Sequence, residues 1–154
     1  MSACTFFGHR DTPQNIYNTI YCSIKDLIEK QNIDTFYVGN NGNFDKMVKK
    51  SLKELRLLYP DIKIYIVLAY IPDKKYEYED YQDTIYPDNL ERVPKRFAIS
   101  ARNNWMLSKS NYVLTYISHP YGGAAKFAET AKKKNKCVIN LYSDKQTTGG
   151  NPPV

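Results

Sequence analysis

The sequence predicts a single α/β domain in the form of a doubly wound parallel sheet of about five strands with helices on both faces. Three observations support this fold class. Short apolar runs alternate along the whole chain with segments whose apolar residues recur at helical spacing. One run, residues 62–71, is apolar at nearly every position, which is typical of a strand that helices cover on both sides. The length of 154 residues suits one domain with a core of its own.

The individual elements follow from these runs in chain order. Strands are expected at residues 3–7, 35–38, 62–71, 112–117 and 137–141. The spacing of isoleucines and leucines predicts a first helix that starts near Thr12-Pro13 and runs to about Lys30. Further helices are expected at residues 47–58 and 96–109, and an alanine-rich stretch that follows Gly122-Gly123 predicts a fourth, up to Lys133.

Two segments do not fit this alternation. Residues 72–94 are rich in Tyr, Asp, Glu and Lys, contain three prolines and lack any period, so we expect a long loop or lid within a domain that covers residues 1–142. Tyrosines in and beside this segment could stack on a purine or pack the loop onto the domain; they are Tyr70, Tyr76, Tyr78, Tyr81 and Tyr86. Residues 143–154, with their Thr, Gly and Pro content, predict a flexible C-terminal tail.

Composition limits the classes of partner. The formal charge of +6 favours an anionic partner, and the spread of lysines along the chain suits a phosphorylated small molecule as well as nucleic acid. Cys4, Cys22 and Cys137 lie far apart without metal-ligand spacing, so we expect reduced core cysteines, no metal site and no cofactor. No apolar segment approaches the roughly 20 residues that span a bilayer, and we expect a cytoplasmic protein without membrane contact.

The loops that follow the predicted strands contain the candidate binding residues. Right-handed crossovers place all of these loops at the carboxyl edge of a parallel sheet, where open α/β sheets bind ligands. At Gly122-Gly123 a strand leads into a helix start, whose free N–H groups and dipole favour a phosphate. The candidates in these loops are Gly8, His9, Arg10, Gly39, Asn40, Asn41, His119, Tyr121, Gly122, Gly123 and Ala124. Turn formation remains an alternative for Gly39, loop stabilisation for His9, and pairing with Asp11 or Asp45 for Arg10.

Several motifs resemble the SLOG superfamily, which joins the DNA-processing DprA proteins with the LOG nucleotide phosphoribohydrolases. They are Arg102-Asn103-Asn104-Trp105-Met106, Ser110-Asn111-Tyr112-Val113-Leu114, and the Gly-Gly helix start with Glu129. The segments FFGHRD, FYVGNNGNFD and RFAISARNNWM are most similar to the YpsA-like SLOG proteins of Firmicutes. The chain departs from the LOG pattern at Asn103, Ala125 and Lys126, where LOG enzymes have Lys, Gly and Thr.

This resemblance implies a Rossmann-like fold and two alternative functions. The first is a sensor or sequestering module that binds a nucleotide or nucleotide derivative, similar to AMP or ADP-ribose. The second is a LOG-like nucleoside 5′-monophosphate phosphoribohydrolase in which Arg102 and Glu129 flank the N-glycosidic bond as catalytic residues, with Asn103 also at the ligand. A surface ion pair is the alternative for Arg102.

The resemblance also implies self-association. LOG relatives pair through the helices beside the site, so we expect a homodimer or higher oligomer. The large apolar residues at the corresponding positions are Trp105, Met106 and Phe127, for which packing within the monomer is the alternative. We do not expect nucleic-acid binding, because the chain has no separate basic and aromatic module.

Overall fold

A computed structural model of the protein describes residues 2–71 and 84–143. The strands in this part of the chain are β1 (Ala3–Gly8), β2 (Thr35–Val38), β3 (Lys63–Val67), β4 (Thr84–Ile85), β5 (Tyr112–Tyr116) and β6 (Cys137–Asn140). The helices are α1 (Tyr17–Gln31), α2 (Gly42–Leu58), α3 (Ala98–Ser108) and α4 (Gly123–Lys133). Short 3-10 turns precede α1 and α3.

The six described strands form one sheet in the order β4-β3-β2-β1-β5-β6, and every pairing is parallel. The order runs from β1 to β4 in one direction and then from β1 through β5 to β6 in the other. The loops that follow β1 and β5 therefore diverge to opposite faces, which opens a crevice at the carboxyl edge between these two strands. The predicted fold class, a single Rossmann-like α/β domain with a doubly wound parallel sheet, is confirmed.

The alternation of side chains along β1 divides the core into two layers. Phe6 points to the face covered by α1 and α2 and stacks on Phe36 at 6.2 Å between ring centroids. Phe7 points to the opposite face, where it stacks on Phe127 of α4 at 5.5 Å. Both rings are buried, so replacement of either by alanine would cost about 3–5 kcal/mol of stability.

The sheet has one strand more than the sequence predicted. Strand β4 lies within the segment that was expected to be a loop or lid, and it pairs with β3 through Ile66 opposite Thr84 and Val67 opposite Ile85. Two residues are too few to produce a period in the sequence, so the pattern could not reveal this strand. Residues 72–83, the first part of the proposed lid, and residues 144–154 of the proposed tail lie outside the described residues.

Several element boundaries also differ from the prediction. Helix α2 begins at Gly42, whereas residues up to Asp45 were expected to form a loop. Strand β3 ends at Val67 instead of residue 71, although Leu68 and Ala69 stay buried where the chain leaves the sheet. The prediction that all three cysteines are core residues is correct only for Cys4, because Cys22 and Cys137 are exposed. The described helices include none that is long and apolar enough to cross a membrane.

Candidate functional site

A cleft of about 540 Å³ lies at the carboxyl edge of the sheet, over the crevice between β1 and β5. Its walls come from the loops after β1, β2 and β5 and from the sides of α3 and α4 that face them. It brings together most of the residues that the sequence singled out, namely Gly8, His9, Arg10, Asn41, Arg102, Asn103, His119, Tyr121, Gly122, Gly123 and Ala124. The topology explains this convergence, since parallel strands deliver all of these loops to one edge.

The start of helix α4 forms one wall of the cleft. Gly122 adopts a φ of 95°, a conformation that side chains with a Cβ rarely take. The first helical hydrogen bond runs from Lys126 N to Gly122 O at 3.1 Å, so the N–H groups of Gly123, Ala124 and Ala125 have no partner within the helix. A Cβ added at Gly123 would meet no atom within 4 Å, and the first turn carries no acidic residue. This end of the helix is therefore open to an anion.

Three aromatic rings form a column beside this helix start. His119 stacks on His9 at 3.6 Å between centroids with 11° between the ring planes, and on Tyr121 at 3.9 Å with 23°. Two rings cannot share one face of an imidazole at these distances, so His119 lies between the other two. His9 is buried at the inner end of the column, and Tyr121 at the outer end keeps 70% of its surface exposed.

His9 is held in its neutral form. Its Nε2 accepts a hydrogen bond from the backbone N–H of Ser118 at 3.1 Å, which requires an unprotonated nitrogen. Burial lowers the pKa of His9, the neighbouring His119 lowers it further, and Asp11 opposes the change. The histidine thereby ties the loop after β5 to the end of β1, in agreement with the loop-stabilising alternative.

Arg10 extends its exposed side chain at the mouth of the cleft. Among the described residues it forms no ion pair within 4 Å, so the expected alternatives of a salt bridge to Asp11 or Asp45 are not found. Its backbone is fixed instead, because its carbonyl accepts a hydrogen bond from Asn43 N at 2.8 Å. A Cβ at Gly42 would come within 2.7 Å of the Arg10 Cα, which explains the glycine there.

Arg102 lies in the floor of the cleft and is only 3% exposed. Its guanidinium donates to three oxygens, which are Val67 O at 3.1 Å, Asn41 Oδ1 at 3.1 Å and Asn103 Oδ1 at 2.8 Å. Burial lowers the pKa of Arg102, and the charge of Asp45 opposes this change. The side chain thus joins α3 to the end of β3 and the loop after β2, and the alternative of a surface ion pair is wrong.

Asp45 is a residue of the cleft that the sequence did not identify as a candidate. It lies in the first turn of α2, is 8% exposed, and accepts a hydrogen bond from Asn41 N at 2.9 Å. Burial raises the pKa of Asp45, while the Asn41 N–H and the charge of Arg102 oppose the rise. The sequence signal for this residue is an acidic side chain four positions after Asn41, in what the structure shows to be the first turn of α2.

Three predicted residues lie outside the cleft. Gly39 leaves room for the buried side chains of Asp45 and Arg102, since a Cβ there would stand 2.8 Å from Asp45 Oδ2 and 2.9 Å from Arg102 Nη1. Asn40 is exposed, and its Oδ1 accepts a hydrogen bond from Lys49 Nζ. Glu129 is 66% exposed and pairs with Lys132 at 3.5 Å. It borders a separate, smaller depression that also includes Pro120 and Asn140.

The residues predicted for a subunit interface and for ring stacking occupy the following positions. Met106 and Phe127, which were expected at a subunit interface, are buried in the core of this chain, and Trp105 packs edge-on against Tyr37. Tyr70 donates a hydrogen bond to Lys95 O at 3.4 Å, and Tyr86 packs against the core. Tyr76, Tyr78 and Tyr81 lie outside the described residues. Over the described ranges no group of three or more His, Cys, Asp or Glu side chains could hold a metal ion.

Comparison with known proteins finds similarity at the level of structure. No family model matches the chain, and no curated protein sequence matches it significantly. The chain is similar to the X-ray structure of DNA processing protein A (DprA) from Streptococcus pneumoniae, with a TM-score of 0.67 and 15% sequence identity. The match covers 100% of this chain and 58% of that one, so this chain spans less than two thirds of that protein. At this identity the similarity shows a shared fold, and the resemblance to the SLOG superfamily, including the closer placement with YpsA-like proteins, stays a prediction.

Proposed function

We propose that this protein binds a phosphorylated, nucleotide-like small molecule, such as AMP or an ADP-ribose derivative, and acts as a sensor or sequestering module. The observation that carries this proposal is the open start of α4 in the cleft. Three backbone N–H groups lack helical partners there, and the space beyond Gly123 is empty of side chains. A phosphate group satisfies such N–H groups and is favoured by the positive end of the helix dipole.

The surroundings of the helix start support a phosphorylated ligand. Arg10 lines the same cleft without an ion pair among the described residues, and a guanidinium offers phosphate a planar set of donors. The volume of about 540 Å³ lies within the usual range of small-molecule sites. The ligand we expect is therefore larger than inorganic phosphate.

A substitution at Gly123 tests the proposal. Gly123→Asp places a carboxylate in the empty space at the helix start, where its charge favours the helix but repels phosphate. We expect the wild type to be stabilised by one or more members of a nucleotide panel, by about 2.7 kcal/mol at a hundredfold excess over Kd. The variant should keep its own stability and lose this response in a thermal shift measurement.

Lys134→Gln provides the matched control. It lowers the net charge by one, as Gly123→Asp does, but at the exposed far end of the same helix. This control should bind like the wild type. A flat response of folded wild type across AMP, ADP-ribose and the other nucleotides would remove the proposal, and equal loss in both variants would reduce it to a general charge effect.

A phosphoribohydrolase is the second candidate function. The positions of the carboxylates indicate which residue could act in such an enzyme. The resemblance to LOG enzymes supplies Arg102 and Glu129, but Glu129 is exposed outside the cleft. Asp11 and Asp45 line the cleft, and Asp45 is buried near Arg102. If the protein cleaves an N-glycosidic bond as a monomer, these observations favour Asp45 as the carboxylate that stabilises a cationic transition state.

A further inference from the structure

We propose that the free face of Tyr121 is a stacking subsite for the base of the ligand, so that the cleft selects nucleotides over sugar phosphates. This inference rests on the proposed function, because it assumes a phosphate at the start of α4. Its own support is the ring column of His9, His119 and Tyr121, which is independent of that helix start. The column ends in an aromatic face that no described ring covers.

The column holds Tyr121 in place before any ligand arrives. His9 is fixed at the buried end by the hydrogen bond from Ser118 N, and His119 Nδ1 lies 3.0 Å from the Tyr121 carbonyl oxygen. One face of the tyrosine ring is covered by His119, yet the residue stays 70% exposed and lines the cleft. A planar base can extend such a column with little loss of side-chain entropy, since the ring is already ordered.

The position of Tyr121 suits a ligand whose phosphate and base are both bound. Tyr121 precedes Gly123 by two residues, so their Cα atoms are at most about 7.6 Å apart. One nucleoside 5′-monophosphate can therefore reach the helix start and the tyrosine ring together. Stacking on a π face does not distinguish strongly between bases, so we expect purines and pyrimidines to be accepted.

The test compares AMP with ribose 5-phosphate, which has the phosphate and the sugar but no base. Binding of each is measured by titration calorimetry to the wild type, Tyr121→Ala and Tyr121→Phe. Loss of base stacking typically weakens binding by roughly ten- to a hundredfold. We expect that loss for AMP in Tyr121→Ala, near wild-type AMP affinity in Tyr121→Phe, and unchanged ribose 5-phosphate affinity in both variants.

The outcomes separate this inference from the proposed function. If ribose 5-phosphate binds and Tyr121→Ala leaves AMP affinity unchanged, the base subsite is wrong and the phosphate site stands. The same holds if AMP binds the wild type no better than ribose 5-phosphate does. If Tyr121→Ala weakens both compounds equally, the tyrosine supports the loop and does not contact the base. If neither compound binds the wild type, the proposed function fails for these compounds and the base subsite fails with it.

Discussion

At the scale of single residues, His9 couples proton binding to the stability of the site. The neutral imidazole accepts the Ser118 N–H and lies face to face with His119. Protonation would remove the acceptor and place a cation against that second imidazole, with Asp11 as the compensating charge. The loop that carries Tyr121 and Gly122 therefore depends on a neutral histidine.

We expect the stability of the protein to fall as the pH falls below about 6.5. The pKa of folded His9 lies below its ordinary value, so between these two pKa values the unfolded chain binds more protons than the folded one. Stability then rises with pH in that window and is fully present above the ordinary value. Thermal melting midpoints of the wild type from pH 5 to pH 8 measure this slope.

His9→Gln is the control for this prediction, since its amide oxygen can still accept the Ser118 N–H but does not titrate. Its melting midpoint should depend less on pH across the same window, so that the difference between the two proteins shrinks on acidification. Parallel pH profiles would show that His9 does not titrate in this way.

At the scale of elements, two glycines at the carboxyl edge serve opposite purposes. A Cβ at Gly8, the last residue of β1, would overlap the ring of Phe44 in α2, which is fully buried. A Cβ at Gly123, the first residue of α4, would meet nothing within 4 Å. The first glycine allows α2 to pack closely on the sheet, and the second leaves space for a ligand.

The same substitution at the two positions should therefore have opposite effects. Gly8→Ala should destabilise the protein by about 1–3 kcal/mol through overpacking. Gly123→Ala should be neutral or stabilising by up to about 1 kcal/mol, because alanine restricts the unfolded chain and fits the helix. Urea unfolding of both variants measures the difference. A loss of stability at Gly123 equal to that at Gly8 would contradict the open space assigned to the helix start.

The elements also show which parts of the fold the sequence could predict. Strand β2 was predicted with its observed bounds. The first three helices were predicted from their apolar residues, and the fourth from the alanine-rich stretch that follows Gly122-Gly123. Strand β4 was missed because two residues carry no period. The predicted start of α2 is too late because Gly42 and Asn43 favour turns. The contact of Gly42 with Arg10 that fixes the observed start is tertiary, so no local pattern reveals it.

At the scale of the whole molecule, topology and motifs each predicted a part of the candidate site. The strand-end loops supplied most of its lining, and the motifs supplied Arg102 and Asn103. The convergence of the strand-end loops placed His9, Arg10, Tyr121 and Gly123 in one cleft, because it depends only on parallel strands. The motif that supplied Glu129 did not place that residue there. Glu129 comes five positions after Ala124, which lines the cleft, so the two side chains project about 140° apart around the helix.

Neither the topology nor the fold similarity distinguishes a binding protein from an enzyme, so the distinction depends on the residues of the cleft. The similarity to DprA concerns the fold at 15% identity, and the same fold can host unrelated functions. Arg102 donates hydrogen bonds to three neutral oxygens of the protein. These bonds account for the burial of its side chain without any substrate. The residues at the helix start, Ala125 and Lys126, differ from those of the LOG pattern. These observations favour binding without turnover.

We therefore expect no robust release of free base from nucleoside monophosphates. Wild type, Glu129→Gln and Asp45→Asn are each incubated for long periods with AMP, GMP, CMP and UMP, and free base is measured by chromatography. Both substitutions keep the shape of the side chain and remove its charge, and Asp45→Asn retains an oxygen that can accept the Asn41 N–H. Thermal shift with the same compounds establishes that each protein is folded and whether it binds them.

Robust release of free base by the wild type would overturn the binder proposal. The variant whose turnover then falls on the order of a hundredfold or more would identify the catalytic carboxylate. A loss in Asp45→Asn alone is the result that its place in the cleft favours, whereas a loss in Glu129→Gln alone would mean that a residue exposed in this structure reaches the substrate in another arrangement of the protein.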